Sequence, residues 1–521
     1  MRQLRVVAAA GSAVLLATFT AAAAPASTLA SVVPLAAQAP ESAFTDTAAA
    51  ADPIACQRPA PDGRVSTTIH CYTPDQIRAH YGLGPLTPQT SDGEGQTIVL
   101  VDSYGSPTAA ADVNSFAQTF GGPTPDFEAA FPLGTPDYKD PKGPNCGNGN
   151  CTGVGTSGPL AADGWAGEAN LDVQWAYAIA PKAHIVLLAT PPAETQGVQG
   201  LPNLMKAIDW AIAKYPAGTV FSMSFGTSEE AFASPAAAKS AFDRFDQTFQ
   251  RGWAKHDTFF SSAGDDGSLG VGRSHHQTTT LDHPSTSYPN SSPYVTSVGG
   301  TQLQSGWTWA PTSDMPFDAK GNPNPAYWAW TPGGESEAVW NETWGPIATG
   351  GGLSNVYARP AYQNGIAGIV GNHRGVPDLA WNAAVNGGVL TYHTYFPSLN
   401  NPKRPWGVFG GTSASSPQVA GLTAIANQGR KAIGKDGIGD LNSVIYSAGF
   451  DKDSAFLDIV PQVYGTAASG VLDDNQMWEP QADGTVAPGP VQGYPTTPGF
   501  DLTTGWGTPK ATGYLAQLIA H

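Results

Sequence analysis

Glu168 and Asp172 stand four apart in the apolar run Gly167-Glu168-Ala169-Asn170-Leu171-Asp172-Val173-Gln174. On a helix such a pair shares one face, with Cβ atoms about 5–6 Å apart. On an open surface the two charges would repel; buried together, they share a proton and one apparent pKa rises. A solvated acidic face is the ordinary explanation for a lone Glu-x-x-x-Asp. Here Trp165, Leu171, Val173, Trp175 and Tyr177 make the helix largely apolar, which favours burial. A second pattern is Gly410-Gly411-Thr412-Ser413-Ala414-Ser415-Ser416-Pro417, followed by Val419-Ala420-Gly421-Leu422. It brings Ser413 to the opening of an apolar helix, where unsatisfied backbone N–H groups help hold a developing oxyanion. Gly-Thr-Ser alone is usually a helix cap; the full run is far more specific. The third pattern, Ser261-Ser262-Ala263-Gly264-Asp265-Asp266-Gly267-Ser268, sets Asp265 just beyond a β-branched and aromatic run. Its Gly-Asp-Asp-Gly core is also good turn chemistry, so taken alone it reads equally well as a turn.

These groups need a scaffold, and the chain alternates accordingly. Strands are expected at 97–102, 184–189, 219–224, 258–263 and 294–298. Helices are expected at 108–120, 168–179, 204–215 and 235–255, the last with Ser234 as N-cap and Pro235 in its first turn. Thr73 before Pro74 marks a short helix near the start of the ordered chain. Apolar strands separated by helices predict an α/β fold, a three-layer sandwich around a mainly parallel sheet. In such sheets functional groups gather beyond the carboxyl ends of the strands, where Asp102, Ser224 and Asp265 all fall. A turn-rich stretch from Gln302 to Gly352 interrupts the alternation. Its Trp307, Trp309, Trp328 and Trp330 are better explained by packing of a long loop than by a sugar platform.

Composition narrows the function. Twenty-five Lys and Arg against 42 Asp and Glu give a net charge of −17, and no basic patch tracks phosphates, so nucleic acid is excluded as a partner. Arg2 and Arg5 precede an apolar, Ala-rich stretch from Val6 to about Ala24 with small-residue cleavage sites after it. Residues 1–30 therefore read as a secretory signal peptide, 31–70 as a short pro-segment or linker, and 71–521 as the working domain. No later segment is apolar for long enough to span a bilayer, so no membrane contact is expected after signal removal. Cys56, Cys71, Cys146 and Cys151 allow three pairings; sequence neighbours make Cys56–Cys71 and Cys146–Cys151 the simplest, consistent with an oxidising compartment.

The three chemical motifs together resemble those of the subtilisins and sedolisins, two related families that share the Gly-Thr-Ser nucleophile motif on one fold. None of the ten histidines (His70, His80, His184, His256, His275, His276, His283, His373, His393 and His521) stands in the Gly-His context a subtilisin base requires. Glu168 and Asp172 match instead the sedolisin Glu-x-x-x-Asp motif, and Asp265 matches its Ser-x-Gly-Asp-x-Gly motif. Further landmarks carry the resemblance over residues 71–521, among them Ser224-Phe225-Gly226-Thr227-Ser228-Glu229, Gly350-Gly351-Gly352-Leu353-Ser354 and Val376-Pro377-Asp378-Leu379-Ala380.

The resemblance implies a subtilisin-like fold and a secreted serine-carboxyl peptidase acting on polypeptides as a monomer. Ser413 would be the nucleophile, Glu168 its base, Asp172 the partner of Glu168, and protonated Asp265 a donor to the oxyanion. It implies an acidic optimum, roughly pH 3–5, and leaves endopeptidase and tripeptidyl-peptidase action both open. It also implies one structural Ca²⁺, held by Asp458, Ile459, Thr497, Gly499 and Asp501. Thr497 replaces the first Gly of the family's Gly-x-Gly-x-Asp loop, and Asp378-Leu379-Ala380-Trp381-Asn382 replaces a more acidic stretch. The long folded prodomain usual in the family is missing before Cys71. The rival readings are a binding protein of the same fold that has lost turnover and a subtilisin-type enzyme with a displaced histidine.

Overall fold

Ile98, Val99, Leu100 and Val101 are all fully buried, so the strand Thr97–Ser103 needs cover on both faces, as strands of a parallel sheet do. Ile98 and Leu100 pack in one core with Phe116, Trp175 and Val419. Val99 and Val101 point the other way, into a second core with Ile208, Phe242 and Phe249. The period of two along a strand has thus built two cores, one on each side of a single sheet. The computed structural model describes residues 71–521 except 137–161, 192–197, 199, 272–280, 305–306, 310–329, 333–335, 343–346, 396–404, 464–470 and 482–485, together with Val33–Pro34 and Ala37–Gln38.

Across the central sheet the strands run Ser336–Val339, Thr296–Gln304, Thr258–Ser262, Val220–Met223, Thr97–Ser103, His184–Thr190 and Asp126–Ala130, with Leu379–Asn382 also paired to Thr296–Gln304. Every pairing is parallel except that of Ser336–Val339. Helices Ala109–Phe120, Ala162–Ile179 and Thr412–Ala432 cover the first core, and Leu201–Lys214 with Pro235–Trp253 covers the second. This is the expected three-layer α/β sandwich. The turn-rich interval contributes more than a loop, because Ser336–Val339 pairs antiparallel with the end of Thr296–Gln304.

Local signals hold at the helix starts. Ser234 Oγ accepts the Ala237 N–H at 3.2 Å, and Pro235 begins the helix. Gln76 reaches back to the Thr73 N–H at 2.9 Å, completing a capping box before Pro74–His80. Cys71 is buried and disulfide-bonded. Cys56, Cys146, Cys151, Trp328 and the segment 1–30 lie outside the described residues.

Candidate active site

Parallel strands place their carboxyl ends on one edge, and the chemical residues converge there. The run Gly410–Pro417 is polar in composition, yet Ser413, Ser415, Ser416 and Gln418 are all fully buried. Each neighbour of Ser413 is tied down: Ser415 Oγ donates to the Trp381 carbonyl at 3.0 Å, Ser416 Oγ meets Ser222 Oγ at 2.8 Å, and Gln418 Oε1 accepts the Trp381 indole N–H at 3.0 Å. The motif is polar because it anchors the opening of its helix to the sheet. Gly411 enters with φ +87°, a left-handed conformation natural to glycine. Ser413 is then the second residue of Thr412–Ala432. Its Oγ is buried with no hydrogen-bond partner among the described residues, histidine rings included.

The helix Ala162–Ile179 packs directly on this one. A Cβ added to Gly421 would lie 2.9 Å from Ile179 Cβ, so glycine there permits the close approach. Glu168 and Asp172 project from that helix into a wholly buried site. The i, i+4 spacing has done what it predicts, with an addition. Asp102, on the strand Thr97–Ser103, joins them, and oxygens of Asp102, Glu168 and Asp172 all lie within 4.8 Å of one another. Ser224, just past the strand Val220–Met223, donates to Asp172 Oδ1 at 3.0 Å.

Three carboxyls so close in a dry site cannot all be ionised. Burial pushes Asp102 up to about 8. Burial, then the charges of Asp102 and Glu168, lift Asp172 well above the usual carboxylate range, against the pull of the Ser224 hydroxyl. The cluster therefore holds protons at mildly acidic pH and titrates as a unit.

Asp265 lies across the site on the loop after Thr258–Ser262. Its Oδ1 accepts both the Thr412 N–H at 2.8 Å and the Thr412 hydroxyl at 2.9 Å, fixing it beside the residue preceding Ser413. Burial raises its pKa to about 7, partly offset by those two donors. The carboxyl is thus neutral in acid and able to donate a hydrogen bond. The chemical motifs did not include Asp102 or Ser224, and gave Thr412 no role of its own. The sign of Asp102 and Ser224 in the sequence was their position at strand ends, where a doubly covered parallel sheet opens.

A model of the subtilase family matches residues 164–441, which includes Glu168, Asp172, Asp265 and Ser413. The chain belongs to the subtilase family. It is similar to kumamolisin of Bacillus sp. (strain MN-32), 26% identical over 86% of this chain and 64% of that protein. It is also similar to tripeptidyl-peptidase 1 of Canis lupus familiaris, 26% identical over 58% of this chain and 43% of that one. This subtilase thus spans just under two thirds of the length of the first relative and less than half of the second. In structure it resembles Pseudomonas sedolisin (serine-carboxyl proteinase), complexed with two molecules of pseudo-iodotyrostatin. The TM-score is 0.58 at 20% identity, over 87% of this chain and 99% of that one. The structural likeness shows the fold, the subtilisin-like three-layer sandwich around a mainly parallel sheet.

Asp102 gives a direct test of the proton arithmetic. Because Asp102 stays neutral below about 8, Asp102→Asn is expected to keep turnover within about threefold of wild type in acid. Asp102→Ala opens a cavity beside Asp172 and is expected to cost about tenfold or more, the kinetic equivalent of roughly 1.4 kcal/mol. Steady-state kcat of both variants near pH 4–5 checks this. Equal losses would instead make the Asp102 carboxyl a proton carrier.

The residues expected to hold calcium come together at the C-terminal end. Asp458 Oδ2 accepts the Gly499 N–H at 2.9 Å. Asp501 Oδ2 accepts the Thr497 N–H at 3.1 Å, and its Oδ1 accepts the N–H groups of Thr503 and Thr504 at 2.9 and 2.7 Å. Thr497 has no positive φ, so the replacement of glycine there is free of strain, while Gly499 keeps φ +83°. Among the described residues no backbone N–H donates to the carbonyls of Ile459, Thr497 or Gly499. One exposed carboxylate, one buried carboxylate and three uncommitted carbonyls suit a hard cation with oxygen ligands.

Proposed function

We propose that this subtilase is a secreted, acid-active serine-carboxyl peptidase. The observation that carries the reading is the pairing of a buried carboxylate cluster, Glu168 and Asp172 on one helix with Asp102 beside them, with Ser413 at the head of the helix packed against it. Ser413 Oγ attacks the scissile carbonyl carbon and Glu168 takes its proton. Asp172, held by Ser224, shares the proton of Glu168, and Asp102 keeps the cluster neutral enough to accept one. The oxyanion meets backbone N–H groups at the helix start and the protonated Asp265 carboxyl. Glu168 then returns its proton to the leaving amine, and water resolves the ester by the same route in reverse.

The rival reading as an inactive binding protein gains nothing from this arrangement. Three neighbouring carboxyls in a dry site cost stability, and a pure binding scaffold has no use for them. The intended substrate is a polypeptide. Secretion rests on the N-terminal segment; among the described residues no helix is long and apolar enough to cross a membrane. The test is the pH dependence of peptide hydrolysis by the secreted protein beside its Ser413→Ala variant.

Asp458, Asp501 and the carbonyls of Ile459, Thr497 and Gly499 would hold one Ca²⁺, whose part is structural: it ties the segment after Phe456–Leu457 to the 497–501 loop. A ligand bound only by the folded state stabilises it by mass action, about 2.7 kcal/mol at a hundredfold excess over Kd. Chelation is therefore expected to lower Tm by several degrees, and Asp501→Ala to abolish that response. Elemental analysis with one calcium per chain supports the site. An unchanged melting curve in chelator, with no bound calcium, removes it.

A further inference from the structure

A polar cavity of about 240 Å³ opens at the far end of the elements that carry the catalytic groups, with Gln96, Thr219, His256, Lys431, Lys435 and Gly437 on its wall. Gln96 precedes the strand Thr97–Ser103 and Thr219 precedes Val220–Met223, whereas Asp102 and Ser224 stand at the other ends of those strands. Lys431 lies in the last turn of Thr412–Ala432, about 27 Å along the helix from Ser413. The cavity is therefore separate from the catalytic site. A tight backbone approach closes its wall: a Cβ on Gly437 would lie 2.6 Å from Gly218 Cα and 2.8 Å from the His256 carbonyl oxygen. Asn427 fixes the same corner, its Nδ2 donating to the Gly218 carbonyl and its Oδ1 accepting the Ile438 N–H, both at 3.1 Å.

Several groups left over on this wall are donors. Gln96 is 9% exposed, and its Nε2 is buried with no partner among the described residues. Lys431 Nζ makes one long contact, to the Gly95 carbonyl at 3.4 Å. Lys435 Nζ meets the carbonyls of Ile519 and Ala520 at 3.0 and 2.5 Å. An ammonium has three donors, so each lysine keeps at least one. The Gly437 N–H donates to no backbone carbonyl among the described residues. Asp436 also lines the cavity, but its carboxylate is turned to the His256 ring at 3.6 Å. Asp257 follows His256 and accepts the Thr219 N–H at 2.9 Å; burial raises it to about 7, so in mild acid it adds no negative charge. With 25 Lys and Arg and a net charge of −17, this chain has few cations to place, and two of them face one cavity.

Donors without matching acceptors favour an acceptor-only group, and paired ammoniums favour an anion; an ionised carboxylate is both, with two oxygens to share among several N–H groups. Size limits the rest of the ligand. A water takes about 30 Å³ of liquid, so the cavity has room for on the order of ten non-hydrogen atoms, fewer than a drug-sized pocket holds. From this cavity we propose a second binding site on the protein, one that takes the carboxylate of a small molecule, with Lys431 and Lys435 meeting its charge and Gln96 donating to an oxygen. The carboxylate is the C-terminus of a short peptide or belongs to a free organic acid; both offer the same group. The site is independent of the peptidase reading above.

Isothermal titration calorimetry of the full chain, at about pH 5 and low ionic strength, tests this with succinate, glycylglycine, glycylglycinamide and inorganic phosphate in turn. Succinate or glycylglycine is expected to bind with a Kd of about 1 mM or below. Glycylglycinamide, which lacks the carboxylate, is expected to bind about tenfold more weakly or not at all. The tighter of the two carboxylates names the source, organic acid or peptide C-terminus, and either supports the site. Lys431→Ala and Gln96→Met are each expected to weaken that ligand about tenfold. Lys431 is exposed and its one contact is long, so its replacement spares the core, and melting curves check both variants. If Gln96→Met fails to fold, Lys431→Ala alone decides. Since Lys431 and Gln96 lie at the opposite end of their elements from Ser413 and Asp102, weakened binding locates the ligand in this cavity and not in the catalytic site. Affinity unchanged in the folded variants, no heat from either carboxylate up to about 50 mM, or phosphate bound about tenfold tighter than both overturns the proposal.

Discussion

Ser413→Ala is expected to lower kcat for peptide hydrolysis by about 10⁶ while leaving Tm within a degree or two of wild type. The kinetic loss corresponds to roughly 8 kcal/mol of transition-state stabilisation. It is large because no other group can form the acyl bond; what remains is the catalysis supplied by the oxyanion donors alone, about 10³ over water. The thermal effect is small for a reason visible in the fold. Ser413 Oγ makes no hydrogen bond among the described residues, whereas Ser415, Ser416 and Gln418 carry the bonds that fix the helix to the sheet. The substitution also exchanges serine for a better helix former. Single-turnover assays and melting curves on the same preparation separate the two effects. Activity within about tenfold of wild type would move the nucleophile elsewhere.

The same contrast shows what a sequence can and cannot announce. Ser413, Glu168, Asp172 and Asp265 could be singled out as candidates because their chemistry is written locally: a helix start, a four-residue spacing, a turn after a strand. The alternation of apolar strands and helices likewise dictated the two cores. Asp102 was legible only as a residue at a strand end, not as a partner of Glu168 and Asp172, because they lie 66 and 70 positions away and only the parallel register of Thr97–Ser103 with its neighbours points it at them. Thr412 reads as part of a nucleophile motif, yet its N–H and hydroxyl both serve Asp265, 147 residues earlier. Asp378 shows the converse. It stands in a family landmark, but its carboxylate is spent on the buried Arg374 guanidinium, at 2.5 and 2.7 Å, and on the Ser297 N–H at 2.8 Å. Val33–Pro34 and Ala37–Gln38 carried no periodic signal, since a strand of two residues has no period and the edges that receive them lie far along the chain.

Activity should peak in acid and fall as pH rises through about 7, and Asp265 sets that upper limb. Its carboxyl is raised to about 7 by burial, against two donors from Thr412 that favour the ionised form. Below that value it is protonated and donates to the oxyanion; above it, a second negative charge faces the one that must develop. The sign is therefore fixed, with activity present at low pH and lost upward. The lower limb belongs to the carboxylate cluster, which must be ionised once for Glu168 to accept the Ser413 proton. Burial and the neighbouring carboxyls move that limb upward from the ordinary carboxylate range. Together the limbs define a window in mild acid that closes near pH 7, reaching higher than the roughly 3–5 expected from unburied carboxyls. Asp265→Ala is expected to cost about 10²–10³ in kcat throughout this window with little change in KM, because the lost hydrogen bond exists mainly in the transition state. Asp265→Asn keeps a donor that cannot ionise, so its rate, though lower in acid, should no longer fall near pH 7. Rate profiles of the three proteins on one peptide decide the matter. An optimum at or above pH 7, or near-normal turnover in Asp265→Ala, would remove the neutral carboxyl from the mechanism and leave the backbone N–H groups at the start of the Ser413 helix as the oxyanion's donors.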